Sequence, residues 1–180
     1  MNKSVIFLDY DGVVNNILWD SKHEYAKYNY PDDNCVNDFQ AVQWISQLCE
    51  DFGLDIVVTS SWRLRDNYAD CLLNAGLRSG SVIGRTNIDR TLSSTRGEQI
   101  ISYLEAHPEI EEYIIIDDEC HDFDKHPSIY KHFYQVTGDG FYYTAFCDVC
   151  KLIISLRAEE YLNDQIRHIN KINNEHDREA

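Results

Sequence analysis

The sequence predicts an α/β fold: a doubly wound, Rossmann-like parallel sheet of about five strands, with helices on both faces. Short apolar runs alternate along the chain with longer stretches in which apolar residues recur at helical spacing. The apolar runs also lack the polar and apolar alternation of a sheet that faces water on one side. Strands without that alternation are buried on both faces, which is typical of parallel sheets covered by helices.

Five segments are predicted to be strands. Each is a short run rich in β-branched or aromatic residues, and each is bounded by polar or turn-forming residues. In chain order they are KSVIFLD (3–9), LDIVVTS (54–60), SVIG (81–84), EYIIID (112–117) and HFYQV (132–136).

Four segments between and after these strands are predicted to be helices. They are VNDFQAVQWISQLCEDFG (36–53), NYADCLLNAG (67–76), TRGEQIISYLEAH (95–107) and TAFCDVCKLIISL (144–156). Gly53 and Gly76 end the first two, and Pro108 stops the third. The polar remainder is predicted to form one more helix that frays at its end. The chain is therefore divided into a main domain, 1–157, and a C-terminal helix, 158–180.

Polar side chains stand at the carboxyl ends of three of the predicted strands. Ligands of open parallel sheets bind outside the carboxyl ends of the strands, so these residues are candidates for one common site. They are Asp9 and Asp11 at the end of the first strand, Thr59, Ser60 and Ser61 at the end of the second, and Asp117 and Asp118 at the end of the fourth, with Glu119 and Asp122 just beyond. Carboxylates held this close repel one another unless a cation relieves them. An oxygen-rich set without histidine suits a hard cation such as Mg²⁺.

The helix that opens at TRGEQI (95–100) adds a cationic residue to this picture. Thr95 and Glu98 have the spacing of a capping box, which places Arg96 in the first turn. A cation there opposes the helix dipole, and Gly97 is a weak helix former. Arg96 and Gly97 are therefore both unfavourable for helix stability, but both are understandable if an anion binds at this helix end. The alternative is an exposed arginine paired with a surface carboxylate.

Composition excludes several classes of protein. A chain of 180 residues with 43% apolar content can bury one proper core. The formal net charge of −15 argues against strong non-specific binding to nucleic acid or to an anionic membrane. The N-terminal apolar run is too short for a signal peptide, and no segment could span a bilayer. We therefore expect a cytoplasmic protein whose six cysteines are reduced thiols.

Four motifs resemble those of the haloacid dehalogenase-like (HAD) phosphohydrolases. DYDGVVN (9–15), VVTSSW (57–62), Arg96 and IIIDDE (114–119) are similar to the first, second, third and fourth motifs of that superfamily, in the same order and placed after strands. The third motif usually has lysine. The combination of DGVVN, SSWR, RGEQI and DDECHD is also similar to the short HAD domains associated with nucleic-acid repair proteins.

The resemblance implies a magnesium-dependent phosphatase with a covalent intermediate. Asp9 would be the nucleophile that forms an aspartyl-phosphate, and Asp11 the general acid and base. Thr59 would hold a phosphoryl oxygen, and Arg96 would offset charge on the transferring group. Mg²⁺ would be held by Asp9, by the backbone carbonyl of Asp11 and by the Asp117 and Asp118 pair, with Asp118 the preferred direct ligand.

Several neighbouring residues keep two interpretations. Ser60 and Ser61 either bind phosphate or only end the strand and start a turn. Arg63 either contacts substrate phosphate or pairs with a surface acid. Asp122 is an outer metal partner or a helix cap, and His121 and His126 are most simply surface histidines.

Substrate choice is the least determined property. The one notable insertion, NILWDSKHEYAKYNYPDDNC (16–35), is long enough for a flap but too short for a cap domain. An open site admits a nucleotide, a polynucleotide end or another phosphomonoester. A phosphoprotein phosphatase, another phosphotransferase and a non-catalytic binding module are the alternatives. Apolar residues of the C-terminal helix leave two options, packing on the main domain or formation of a homodimer.

Overall fold

A five-stranded, all-parallel sheet forms the centre of the computed structural model, with the strand order β3-β2-β1-β4-β5. The structure describes residues 3–15, 38–87, 94–137 and 140–179, and side chains up to residue 171. The predicted fold class is confirmed. Its strands are β1 (Lys3–Leu8), β2 (Asp55–Val58), β3 (Val82–Arg85), β4 (Ile110–Asp117) and β5 (Phe133–Gln135).

In the described ranges, five α-helices accompany these strands. They are α1 (Phe39–Phe52), α2 (Asp70–Asn74), α3 (Arg96–Ala106), α4 (Pro127–Tyr130) and α5 (Tyr143–Glu179), with short 3₁₀ helices at Ser61–Leu64 and Phe123–Lys125. Asp38 caps α1 by accepting hydrogen bonds from the backbone N–H groups of Gln40 and Ala41. Gly53 ends that helix in the left-handed conformation, as predicted. The second predicted helix is shorter than expected, because residues 66–69 form turns ahead of Asp70.

The hydrophobic core explains why the central strands are continuously apolar. Val5, Ile6, Phe7 and Leu8 are all fully buried, so both faces of β1 are covered. One face carries a cluster that joins three strands to α3 and to the segment after β4. Its members are Val5, Phe7, Val57, Ile100, Ile115, Phe123 and Ile129. The rigid sheet fixes the positions of the residues that follow its strands.

The chain divides into two compact units, residues 1–146 and residues 147–180. The two C-terminal helices predicted from the sequence are one continuous helix, α5, which runs through this boundary. Several apolar side chains of its second half are exposed: Tyr161, Leu162, Ile166 and Ile169. The homodimer through this helix stays a prediction.

Three further expectations concern membrane spans, the cysteines and the predicted flap. None of the helices in the described ranges combines the length and the apolar character that a bilayer crossing requires. Cys49, Cys120, Cys147 and Cys150 are reduced, as expected. Cys71 is disulfide-bonded, so the expectation of reduced thiols is wrong there. Spacing along the chain does not reveal which thiols meet in space. The predicted flap, 16–35, lies outside the described residues.

Candidate active site

The parallel register of β1, β2 and β4 brings three polar residues to one edge of the sheet. Leu8 lies beside Val58 on one side and beside Ile116 on the other. The N–H of Asp9 donates to the carbonyl of Ile116 at 3.0 Å, and the N–H of Thr59 donates to the carbonyl of Leu8 at 2.9 Å. Asp9, Thr59 and Asp117 are therefore held next to one another by backbone hydrogen bonds.

Three carboxylates converge at this edge. Asp9, Asp117 and Asp118 each offer one oxygen, and these oxygens lie within 4.8 Å of one another. Asp9 and Asp117 are buried, whereas Asp118 is partly exposed. This is a dense concentration of negative charge, and it requires a compensating cation.

Arg96 supplies part of that compensation from the first turn of α3. Its Nη1 donates to Asp9 Oδ1 at 2.7 Å and to Asp117 Oδ2 at 3.0 Å. The same nitrogen lies 3.4 Å from Thr59 Oγ1. Four residues that the sequence predicted for one site are thus joined through a single guanidinium nitrogen.

The pKa values of the three carboxyl groups show that the positive charge of Arg96 alone does not compensate their negative charge. Burial raises the pKa of Asp9 even though Arg96 opposes the shift. Burial and the neighbouring Asp9 raise the pKa of Asp117 to about 7. Burial and Glu119 raise the pKa of Asp118. A divalent cation in contact with these oxygens would offset all three shifts, so the residues fit Mg²⁺.

Asp11 lies apart from this cluster and is exposed. Both of its carboxylate oxygens accept from the indole Nε1 of Trp62, each at 3.0 Å. Asn15 Nδ2 approaches Asp11 Oδ1 at 3.4 Å, across the tight turn that follows β1. Neither Trp62 nor Asn15 was a predicted site residue. Trp62 directly follows Ser60 and Ser61, and Asn15 is the last residue of DYDGVVN. These positions are the sequence signals that could have indicated the two residues.

Gly12 allows the turn after Asp11 to pass close to Asp118. Its φ is +78°, a left-handed conformation that other residues rarely adopt. A Cβ at this position would lie 2.0 Å from Asp118 Oδ2. Only glycine therefore lets the Asp118 side chain occupy its observed place over the turn.

The amino end of α3 is held by Asp122 from the segment after β4. Asp122 accepts from the N–H of Gly97 at 2.9 Å, from the Thr95 hydroxyl, and from His126 Nε2 at 3.0 Å. Although burial opposes it, these hydrogen bonds lower the pKa of Asp122. Thr95 and Glu98 also form the predicted capping box. Asp122 thus has the capping position that was one of its two interpretations, and it fixes the turn that carries Arg96.

His121 reaches the carboxylate cluster from a strained backbone. Its φ is +48°, in the left-handed region. Its Nε2 lies 3.3 Å from Asp117 Oδ1, and its Nδ1 lies 3.7 Å from Glu119 Oε2. Burial and the charge of Arg96 lower the pKa of His121. His121 is exposed, as predicted, and its ring also contacts the carboxylate cluster.

A cavity of about 380 Å³ opens over these groups. Its lining residues are Asp9, Asp11, Gly12, Asn15, Ser61, Arg96, Asp117, Asp118, Glu119 and His121. Ser61 thus faces the cavity, whereas Thr59 and Ser60 are fully buried. Ser60 Oγ accepts from the N–H of Trp62 and caps the 3₁₀ helix.

Arg63 lies outside that lining. Its Nη1 donates to the carbonyls of Thr59 and Ser60, each at 2.9 Å. Its Nε donates to the carbonyl of Asn87, and its Nη2 to Gln99 Oε1. These bonds brace the loop after β2. Contact between Arg63 and substrate stays a prediction.

Comparison with known proteins agrees with this arrangement. Residues 5–141 match the family described as the HAD domain in Swiss Army Knife RNA repair proteins. No curated protein and no solved structure gives a match. The match spans the sheet, the carboxylates after β1 and β4, and the helix that carries Arg96. The chain therefore belongs to the HAD superfamily, in the branch associated with RNA repair.

Proposed function

We propose that the protein is a magnesium-dependent phosphatase that removes a terminal phosphate from a nucleotide or polynucleotide through an aspartyl-phosphate on Asp9. The observation that carries the proposal is the convergence of Asp9, Asp117 and Asp118 at the carboxyl edge of the sheet, where Arg96 binds the first two. The described RNA-repair setting of the family supports a nucleic-acid end as substrate. The net charge of −15 favours contact with an end over contact along a long polyanion.

The first step is an in-line attack on phosphorus. A carboxylate oxygen of Asp9 forms a bond to phosphorus while the bond from phosphorus to the leaving oxygen breaks. Asp11 gives a proton to that leaving oxygen, which departs as an alcohol. Arg96 and the backbone N–H groups after Thr59 stabilise the charge on the phosphoryl oxygens.

The second step restores the enzyme. Water attacks the phosphorus of the aspartyl-phosphate, Asp11 accepts the proton of that water, and the bond to Asp9 breaks to release phosphate. Mg²⁺, held by Asp9, Asp117, Asp118 and the backbone carbonyl of Asp11, would supply charge neutralisation at the phosphoryl group.

A substrate panel tests the proposal. The panel contains phosphorylated metabolites, nucleotides, phosphopeptides and oligonucleotides phosphorylated at either end, each with Mg²⁺ and with EDTA. We expect release of phosphate from nucleotides or oligonucleotide ends and loss of that activity in EDTA. Preference for phosphopeptides would identify a phosphoprotein phosphatase instead, and a lack of any hydrolysis would identify a binding module.

The covalent step has its own test. Asp9→Asn should lower turnover by about a thousandfold or more, because the nucleophile is lost. It should also abolish the acid-stable protein label that a radioactive substrate leaves after rapid quenching. Asp55→Asn is the matched control, since Asp55 begins β2 at the opposite edge of the sheet. Substantial turnover by Asp9→Asn would contradict the mechanism.

Cytoplasmic location is part of the same proposal. RNA repair in the family description and four reduced cysteines support it, whereas the disulfide at Cys71 counts against it. Fractionation of cells that express the full chain, followed by thiol labelling, would decide between the two indications.

A further inference from the structure

Trp62 contacts Asp11, one of the residues that line the cavity. In the proposed reaction Asp11 protonates the leaving oxygen, so the rest of the substrate must extend from the phosphoryl group on the Asp11 side. The Trp62 indole nitrogen lies 3.0 Å from both oxygens of Asp11. Trp62 is therefore next to the path along which the leaving group lies.

Arg65 is stacked on this tryptophan. Its guanidinium carbon lies 3.9 Å from the centroid of the Trp62 ring, a cation–π distance. Tyr10 approaches the same ring in a tilted arrangement, with centroids 5.7 Å apart. The ring is thus already in contact with two side chains, and the group that it presents to a ligand is the exposed guanidinium of Arg65.

The other arginines of this region are engaged. Arg63 donates to backbone carbonyls of the loop after β2, and Arg85 Nη1 donates to the carbonyls of Arg63 and Arg65. Arg96 donates to the carboxylate cluster. Among the described residues, by contrast, the guanidinium nitrogens of Arg65 donate no hydrogen bond. Its planar fork of N–H donors matches a phosphate group.

We propose that the Trp62–Arg65 pair is a subsite for the leaving-group side of the substrate, in which Arg65 binds the phosphodiester next to the terminal phosphate. This inference rests on the proposed phosphatase function and specifies its substrate: an oligonucleotide end in preference to a mononucleotide. It also explains how an acidic protein engages a nucleic-acid end, because the contact is one arginine held in place by a ring.

A charge-deletion cycle tests the subsite. The substrates are a terminally phosphorylated dinucleotide with a normal internal phosphodiester and the same compound with a neutral methylphosphonate linkage. The proteins are the wild type, Arg65→Gln and, as matched control, Arg78→Gln. Arg78 is exposed and lies before β3, at the amino edge of the sheet.

For the wild type and the Arg78→Gln protein we expect kcat/KM to favour the charged linkage by about fivefold, the upper range for an exposed ion pair. Arg65→Gln should remove most of that preference. A preference that is unchanged in Arg65→Gln, or absent from the wild type, would overturn the proposal. So would an effect of Arg65→Gln that is confined to phosphopeptides.

Equilibrium binding separates this inference from the proposed function. The Asp9→Asn protein binds the two dinucleotides without consuming them, and Kd is compared with and without Arg65→Gln. Failure of the wild type to hydrolyse any phosphomonoester would contradict the phosphatase. Equal Kd values for the two linkages in Asp9→Asn would contradict the subsite by itself.

Discussion

The Trp62 indole nitrogen donates to both carboxylate oxygens of Asp11, at 3.0 Å each. The donor and the acceptor are 51 residues apart in sequence. The bond places the proposed general acid at the rim of the cavity, away from the carboxylates that are suited to the metal. Trp62 is thus a positioning residue for Asp11.

Trp62→Phe keeps an aromatic ring but removes the N–H donor. We expect kcat/KM for an alkyl phosphate to fall by roughly tenfold, since the hydrogen bond that orients the general acid is lost. The loss should be much smaller for p-nitrophenyl phosphate, whose leaving group needs little protonation. Trp44→Phe is the control, because Trp44 packs on Tyr143 and Phe146 instead. Equal losses for both substrates would show that Trp62 has no role in orienting Asp11.

Gly12→Ala should weaken metal binding through Asp118. The added Cβ would meet Asp118 Oδ2 at 2.0 Å, so this side chain must move. We expect a higher Mg²⁺ concentration for half-maximal activity and a stability loss of about 1–2 kcal/mol from the left-handed backbone.

Gly80→Ala separates the two effects of that substitution. Gly80 has a φ of +85°, and nothing lies within 4 Å of the added Cβ. It should show the same backbone cost in thermal unfolding and an unchanged Mg²⁺ requirement. If the two glycine variants have the same Mg²⁺ requirement, the contact with Asp118 is not important for metal binding.

The buried Asp117 predicts a stability that depends on pH in the absence of metal. Its pKa is about 7 in the folded protein, against an ordinary value of 3.8. Between these values the folded state keeps a proton that the unfolded state releases. The free energy of unfolding should therefore fall by about 2–4 kcal/mol as pH rises from about 4 to about 7.

Urea unfolding in EDTA at several pH values measures this dependence. Asp117→Asn cannot ionise and should flatten the curve over the same range. Adding Mg²⁺ at pH 8 should restore stability to the wild type, because the cation binds the ionised form. A wild-type protein that is equally stable at pH 5 and pH 8 in EDTA would show that Asp117 ionises freely.

Asp122→Ala should displace Arg96, although the Arg96 side chain itself is unchanged by the substitution. The substitution removes an acceptor from the N–H of Gly97 and from the Thr95 hydroxyl, and should cost about 1–3 kcal/mol of stability. We also expect kcat/KM to fall by roughly tenfold, as expected when a positioning contact is lost. Asp51→Ala is the control, because the Asp51 side chain accepts from Gln47 on the exposed face of α1.

A double-variant cycle distinguishes positioning from general destabilisation. If Asp122 acts through Arg96, Asp122→Ala should have little further effect on turnover in an Arg96→Ala background. Full additivity of the two losses would show that Asp122 acts independently of Arg96.

The sequence by itself determined the fold class and the set of polar residues at the carboxyl edge. Continuous apolar runs indicate strands buried on both faces, and parallel strands must end at a common edge. Asp9, Thr59 and Asp117 follow such runs directly, so their proximity was predictable. Capping of α3 by Thr95 was predictable for a similar reason, since it is local in sequence.

Only the tertiary structure decided how the side chains are paired. The bonds from Trp62 to Asp11 and from Gly97 to Asp122 join residues far apart in sequence, and periodicity carries no information about such pairs. The same is true of Arg63, whose guanidinium braces a loop, and of Arg65, whose guanidinium stays exposed on Trp62. Short-range patterns specify elements, whereas the packing of those elements selects which polar groups meet.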